Sequence, residues 1–204
     1  MQKRGARTDT AFDSIENASP MYGLVNKAVE QLVTEQFGDE QWRRIRERAE
    51  VDTTFVAMSS YPDEVTYRLV EAASEVLGAP PEQILEAFGE HWIRYTVDEG
   101  YGDMMALYGD TVFEFLNNMN SLHAQIRLTF PELKPPVITC EALPGGDIEV
   151  AYRSDRPGLA PMLVGLIRGL GKRFGTPVEI ERLPAADDDG VELFRVTHVG
   201  RQAA

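Results

Sequence analysis

The stretch NSLHAQIRLTFPELKPPVITCEALPGGDIEVAYRSDR, residues 120–156, decides the fold class because the spacing of its apolar residues changes within it. Up to Ile126, apolar residues recur every three or four positions, which is typical of an amphipathic helix. Pro135-Pro136 then stiffens a connector and forbids helix there. Residues 137–143 and 148–152 read as strands on either side of the turn Pro-Gly-Gly-Asp, so they predict a β-hairpin.

Helical spacing precedes this stretch from Met21 onward. Gly38 and Gly78 supply stop signals, and Pro62 and Pro80-Pro81 supply start signals, which predicts four helices before residue 100. One strong helix is predicted over about residues 110–128. Its apolar face carries Val112, Phe115, Leu116, Met119, Leu122, His123 and Ile126.

After the hairpin, residues 158–174 predict a helix, and residues 177–183 and 191–198 predict two strands around the acidic turn PAADDDG. Helices first and antiparallel strands later indicate an α+β fold, with an N-terminal helical lobe followed by a lobe with antiparallel sheet and helices. We expect one domain over residues 21–204. Residues 1–20 show no period and are expected to be a disordered extension, or to precede a true start at Met21.

Composition excludes several classes of protein. The chain has 204 residues, 43% of them hydrophobic, yet no apolar run approaches the roughly 18–20 residues that cross a bilayer. No secretory signal is recognisable, so we expect a cytoplasmic protein without a membrane partner. The net charge of −13, without a cluster of Lys or Arg, speaks against nucleic acid. Cys140, the single cysteine, rules out an internal disulfide and a Cys-rich zinc site.

His123 is one of three histidines, and none of the three pairs at a chelating spacing. With Met119 four positions before it and Ile126 three after it, its imidazole belongs to the apolar stripe. Two interpretations fit this placement. His123 is either a core histidine whose nitrogens are satisfied, or a single axial ligand, because haem needs just one neutral imidazole projecting from a helix into an apolar cavity.

The segment Tyr152-Arg153-Ser154-Asp155-Arg156 lies where a predicted strand ends before a helix. Alternation places Tyr152, Ser154 and Arg156 on one side of an extended segment. Two hydroxyls and a guanidinium on one side bind carboxylates through charge-assisted hydrogen bonds. Taken alone, the segment is equally compatible with an ordinary polar strand end.

Taken together, these features resemble the haem nitric oxide/oxygen binding (H-NOX) family, the haem domain shared by bacterial gas sensors and soluble guanylate cyclase. The resemblance rests on His123 within NSLHAQIRLTFPELKPP, on Tyr-x-Ser-x-Arg at residues 152–156 and on GLAPMLVGLIRGLGKRF. MYGLVNKAVEQLV, VTYRLVEAASEVLG, FGEHWIRYT and EGYG match too, so that it covers about residues 21–198. It is nearest to the stand-alone bacterial type.

The resemblance implies a b-type haem between the two lobes and a role for each matching residue. His123 matches the proximal iron ligand, and Tyr152, Ser154 and Arg156 match the triad that binds the haem propionates. Pro136 matches a proline that keeps the porphyrin non-planar. Three further haem contacts are implied in the same way: Val25 on the N-terminal helix, and Trp92 and Met162 in the distal pocket.

Gas selectivity is expected to follow from a missing hydroxyl. Members that bind oxygen carry a distal tyrosine, and the matching position here is assigned to Pro161, which has no donor. Bound oxygen carries partial negative charge and needs a hydrogen bond, whereas nitric oxide binds ferrous haem strongly without one. We therefore expect binding of nitric oxide and carbon monoxide, with poor affinity for oxygen.

The resemblance also implies signalling to a separate protein, because residues 21 onward are used by the sensor. The implied partner is a histidine kinase or a cyclic-di-nucleotide synthase or phosphodiesterase. The hypothesis for the switch is that nitric oxide weakens the Fe–His123 bond, which lets Pro136 and the N-terminal helix relax.

Two other functions stay open. A haem enzyme of the peroxidase type needs a distal acid–base group, for which His91 is the candidate. A haem-free module for an apolar ligand, or an adaptor, is the third reading. Hydrolase and nucleotide-binding motifs are missing from the sequence, so we do not expect an enzyme.

Overall fold

The computed structural model describes residues 20–184 and 190–199. The predicted extension, apart from Pro20, and most of the acidic turn lie outside these residues. Within them, no helix is both long enough and apolar enough to cross a bilayer.

The N-terminal lobe is built from four helices and a small two-stranded sheet. Strand β1 (Pro20–Tyr22) pairs antiparallel with β2 (Ser60–Pro62), so Pro20, assigned above to the extension, belongs to the fold. The predicted helices are confirmed. They are α1 (Gly23–Phe37), α2 (Asp39–Arg48), α3 (Asp63–Leu77) and α4 (Pro81–Thr96).

The two glycines that were predicted to end helices do so in the structure. Gly38 and Gly78 follow the last residues of α1 and α3, and both have positive φ angles of 86° and 69°. Glycine reaches this region at little steric cost, which lets the chain leave the helix and turn back.

The single helix predicted over residues 110–128 is wrong in one respect, because it is kinked at Asn118. A π-helical segment (Val97–Tyr101) and α5 (Gly102–Ala106) lead to α6 (Val112–Asn117) and α7 (Met119–Ile126). Asn118 has φ −94° and ψ 0°, and its side-chain amide donates to the carbonyl of Tyr108 at 3.0 Å. An asparagine that bonds backbone outside its own helix competes with regular helix geometry, which explains the kink.

The C-terminal lobe is a four-stranded antiparallel sheet covered by a helix, as predicted. The strands are β3 (Val137–Ala142), β4 (Ile148–Arg153), β5 (Val178–Leu183) and β6 (Val191–His198), in the order β3-β4-β6-β5. Helix α8 (Ala160–Arg173) connects the two hairpins. The α+β prediction is confirmed.

Each lobe has its own apolar core, and α4 and α8 pack tightly where the lobes meet. A Cβ atom added to Gly89 on α4 would lie 2.0 Å from the carbonyl oxygen of Met162, and one on Gly165 of α8 would lie 1.9 Å from that of Glu86. Any side chain would force the helices apart, so glycine at these two positions sets their separation. The space between the two cores is where the predicted site residues meet.

Candidate functional site

A large apolar cavity lies between the two cores. It has an empty volume of about 1390 Å³, including its open mouth, and apolar side chains from both lobes form most of its wall. Every site residue predicted from the sequence lines it. These residues are Val25, Trp92, His123, Pro136, Tyr152, Ser154, Arg156 and Met162.

His123 reaches this cavity from helix α7, which is fixed to the sheet beside it. The side-chain amide of Asn120 accepts from the Ile138 N–H at 3.1 Å and donates to the Ile138 carbonyl at 2.6 Å. This two-point bond anchors the start of β3 to α7. Because Pro136 lies only two residues before Ile138, the imidazole of His123 and the proline connector are held against the same part of the cavity.

The His123 imidazole is chemically suited to bind a metal. Burial lowers its pKa to about 4, and the nearby carbonyl of Pro136 offsets only part of this effect. The ring is therefore neutral at physiological pH, as a metal ligand requires. Although the Pro136 carbonyl is close, Nδ1 is buried without a hydrogen bond of good geometry. The interpretation of a core histidine with both nitrogens satisfied does not fit this geometry.

Tyr152, Ser154 and Arg156 form a polar end of the cavity. Burial raises the pKa of Tyr152, so its hydroxyl keeps its proton and is able to donate. The Ser154 hydroxyl accepts from the backbone N–H of Arg156 at 3.1 Å, which closes a tight turn after β4. The extended segment expected over residues 152–156 therefore ends at Arg153. Arg156 reaches the cavity because the chain turns after β4, and not because side chains alternate along a strand.

Arg156 is held by three groups that are distant in the sequence. Its Nε donates to Asp63 Oδ2 at 2.8 Å, its Nη1 to the Lys134 carbonyl and its Nη2 to the Pro20 carbonyl at 3.2 Å. An arginine has five N–H donors, so two are left for a carboxylate in the cavity. Asp63 and Lys134 were missed from the sequence, because no local pattern links them to Arg156.

Pro161, which the resemblance matches to the distal tyrosine position, lies on a part of α8 that does not form the cavity wall. Pro161 does not line the cavity, whereas Leu159, Met162 and Leu163 do. Pro161 lies in the first turn of α8, and each helical residue rotates the side-chain direction by about 100°. Met162 therefore lies on the face of α8 that forms the cavity wall. Like proline, its side chain has no hydrogen-bond donor.

His91 faces away from the cavity. It is not among the lining residues; its Nδ1 is 2.9 Å from Arg94 Nη2, and its side chain is buried. Burial, followed by the guanidinium of Arg94, lowers its pKa. The acid–base group on which the peroxidase alternative depends is therefore absent from the described cavity wall.

The donor set fits haem and does not fit a bare metal ion. Among the described residues, no group of three or more His, Cys, Asp or Glu could hold an ion. One neutral imidazole in an apolar cavity, with carboxylate-binding groups at another part of the wall, matches a flat apolar macrocycle that carries its own iron and two propionates. Cys140 is half-buried, and burial raises its pKa to about 11, so its thiol stays protonated.

Comparison with known proteins agrees with this geometry. Residues 22–182 match the family model described as haem-NO-binding, HNOB. The chain is 29% identical over 174 residues to soluble guanylate cyclase gcy-31 and 27% identical over 183 residues to gcy-35, both from Caenorhabditis elegans. These alignments cover 84% and 88% of this chain but 25% and 27% of the relatives. The chain thus spans about a quarter of the cyclases that it matches.

Solved structures show the same fold. The chain superimposes on an H-NOX protein from S. oneidensis in the Fe(II)NO ligation state with a TM-score of 0.77 and 20% identity, covering 87% of this chain and 99% of that one. An unliganded Fe(II) H-NOX protein from K. algicida gives 0.75 and 20%, covering 87% and 96%. The family-model match covers most of the chain, so the resemblance noted in the sequence is confirmed: this protein belongs to the haem-NO-binding (H-NOX) family, whose domain is a gas-sensing haem domain and not itself a catalytic one.

Proposed function

We propose that this protein binds one b-type haem in the cavity between its two cores, with His123 as the iron ligand, and senses nitric oxide for a separate partner. One observation supports this most directly: His123 is a neutral, partly buried imidazole in an apolar cavity, and its buried Nδ1 makes no hydrogen bond of good geometry. Bound ferrous haem supplies the chemistry, because its iron binds diatomic gases.

The chain's own residues have distinct tasks in this proposal. Tyr152, Ser154 and Arg156 bind the propionates and so orient the macrocycle in the cavity. Pro136 presses on the haem from the connector, and Val25 contacts it from α1. Leu163 and Met162 exclude water from the wall formed by α8. A change at the iron would therefore alter the contacts that the haem makes with α1, with α7 and with the Pro135-Pro136 connector, and these segments belong to different lobes.

Gas selectivity in this proposal depends on Met162 and Trp92. Met162 has no donor for bound oxygen, which favours nitric oxide and carbon monoxide. Trp92 packs against Phe88 and Tyr95, with ring centroids 5.9 Å apart in both pairs, so neighbouring rings limit its freedom to turn. We propose poor affinity for oxygen on this basis.

The partner is proposed to be a histidine kinase or a cyclic-di-nucleotide synthase or phosphodiesterase in the cytoplasm. The matching cyclases carry about three quarters of their length outside the matched region. A sensor domain whose output domain is on another chain must present a surface that differs between its liganded and unliganded states. A shift of the two lobes relative to each other would change such a surface.

The first test is the absorption spectrum of the reduced protein, before and after nitric oxide and under air. We expect a haem Soret band that shifts with nitric oxide and carbon monoxide but shows no stable change under air. His123→Ala should lose the haem or its native spectrum. A protein without a Soret band after expression with haem supply would favour the haem-free module, and an unchanged response in His123→Ala would refute the ligand assignment.

A further inference from the structure

The polar end of the cavity contains a fourth group, Lys134, in addition to Tyr152, Ser154 and Arg156. Lys134 lines the cavity, and its own carbonyl oxygen accepts from Arg156 Nη1. The lysine backbone is therefore hydrogen-bonded to the guanidinium. Leu133, Pro135 and Pro136, its neighbours in the chain, also line the cavity, so the whole connector follows the cavity edge.

Without Lys134, the protein charges at the polar end of the cavity would not neutralise two carboxylates. Arg156 is paired with Asp63 at 2.8 Å, and both side chains are almost fully buried, so the pair as a unit carries no net charge. Asp63 Oδ1 is buried with no hydrogen-bond partner, so no other donor offsets the carboxylate charge that cancels the guanidinium. A haem brings two propionates to this place, and two negative charges near a neutral pair need another cation.

Lys134 is the cation that is available. Its side chain is exposed, and it takes part in none of the ion pairs found among residues 20–184 and 190–199. The nearest carboxylate in sequence, Glu132, is engaged elsewhere, because its Oε2 accepts from the Ser60 hydroxyl at 2.6 Å. Of the described residues that line the cavity, Arg156 and Lys134 are the ones charged at neutral pH.

We propose that the Lys134 ammonium binds a haem propionate and, with Arg156, forms a two-cation clamp in which Lys134 supplies the net charge. This proposal rests on the haem binding proposed above. The tasks of the two cations differ. Arg156 gives directional hydrogen bonds from a fixed guanidinium, whereas Lys134 neutralises charge from a flexible stem at the cavity mouth.

The test compares the rate at which haem leaves the holoprotein for an excess of a haem-free acceptor protein. Lys134→Gln removes the charge, Lys134→Arg keeps it and Lys134→Glu reverses it. Lys27→Gln on α1 is the matched control, since Lys27 does not line the cavity. Each variant is loaded either with haem or with iron protoporphyrin IX dimethyl ester, in which both carboxylates are uncharged.

With haem, Lys134→Gln should lose the macrocycle about five-fold faster than the parent, as expected for a partly exposed ion pair. Lys134→Glu should be faster still, and Lys134→Arg and Lys27→Gln should resemble the parent. With the dimethyl ester, Lys134→Gln and the parent should not differ. Equal rates with haem, or an acceleration of the same size with the ester, would overturn the proposal while leaving haem binding intact. A parent protein that holds no haem would overturn both proposals.

Discussion

Asp63 and Arg156 are 93 positions apart in the sequence, yet Asp63 Oδ2 accepts from Arg156 Nε at 2.8 Å. The aspartate opens α3 in the N-terminal lobe, and the arginine follows β4 in the C-terminal lobe. A buried ion pair therefore joins the lobes beside the cavity, and it fixes the guanidinium that we assign to carboxylate binding.

Removing one partner of this pair should be costly. In Asp63→Ala, Arg156 would remain buried with an unpaired charge, so we expect the free energy of unfolding to fall by about 3–5 kcal/mol. Urea denaturation measures this. Glu75→Ala is the matched control, because Glu75 pairs with Arg48 at the surface and should cost under about 1 kcal/mol. Equal losses of unfolding free energy in the two variants would show that the buried pair contributes no more to stability than the surface pair does.

The glycines between α4 and α8 should not tolerate a methyl group. Gly165→Ala would place Cβ 1.9 Å from the Glu86 carbonyl oxygen, and the backbone has to move to relieve this. We expect a loss of about 2–3 kcal/mol or more. In Gly102→Ala the nearest atom to the new Cβ would be the Val97 Cγ1 methyl at 3.2 Å, with the Val97 backbone at an ordinary contact distance of 3.7 Å, so this variant should stay within about 1 kcal/mol of the parent. Thermal and urea unfolding of both variants check this ranking.

A donor introduced at residue 162 should change gas selectivity. Met162 lines the cavity, so Met162→Tyr would bring a hydroxyl to the place where bound oxygen needs a hydrogen bond. We expect at least about ten-fold slower loss of oxygen, from a hydrogen bond to a partly charged acceptor. Stopped-flow spectroscopy of the reduced protein measures it.

Pro161→Tyr is the control for this experiment. Residue 161 does not line the cavity, so its tyrosine should leave oxygen binding unchanged. An oxygen complex stabilised by Pro161→Tyr but not by Met162→Tyr would mean that α8 presents a different face to the haem than the structure indicates.

The buried His91 should make stability depend on pH. Burial and Arg94 lower its pKa below the ordinary value of 6.5, so the unfolded chain takes up this proton more readily than the folded one. The stabilising contribution of neutral His91 is therefore complete above pH 6.5 and is lost as the pH falls below it. The stability of His91→Gln should lack this part of the dependence.

Urea unfolding of parent and variant at several pH values between 7.5 and 5 tests this. The free-energy difference between them should change in favour of His91→Gln as the pH falls. A difference that stays constant over the range would contradict the burial argument.

Much of the fold was predictable because its signals are local. The spacing of apolar residues on α1, α3 and α4, and the glycines at 38 and 78, indicate helix bounds within a few positions. The kink at Asn118 was not predictable, because it depends on a hydrogen bond to Tyr108 in a preceding loop. A sequence pattern reports what a segment prefers, not which distant backbone group competes for its side chain.

The candidate site was predictable where a family motif carries it and unpredictable elsewhere. His123, Pro136 and the Tyr-x-Ser-x-Arg residues line one cavity, although their roles stay predictions. The resemblance matched Pro161 to the distal position, but which residue of α8 lines the cavity depends on the rotation of the helix, and one position along a helix rotates the side chain by about 100°. The close packing of Gly89 and Gly165 sets that rotation.

By itself, the sequence determined most of the helices, the strands of the four-stranded sheet, the α+β class and the family, because periodicity, turn chemistry and motif spacing are properties of short segments. Only the tertiary structure decided that Asp63 neutralises Arg156, that Lys134 lines the cavity without an ion-pair partner among the described residues, and that Met162 rather than Pro161 lines the cavity. Each of these depends on how segments far apart in the chain pack against one another, and charge balance and helix rotation are defined only once that packing exists.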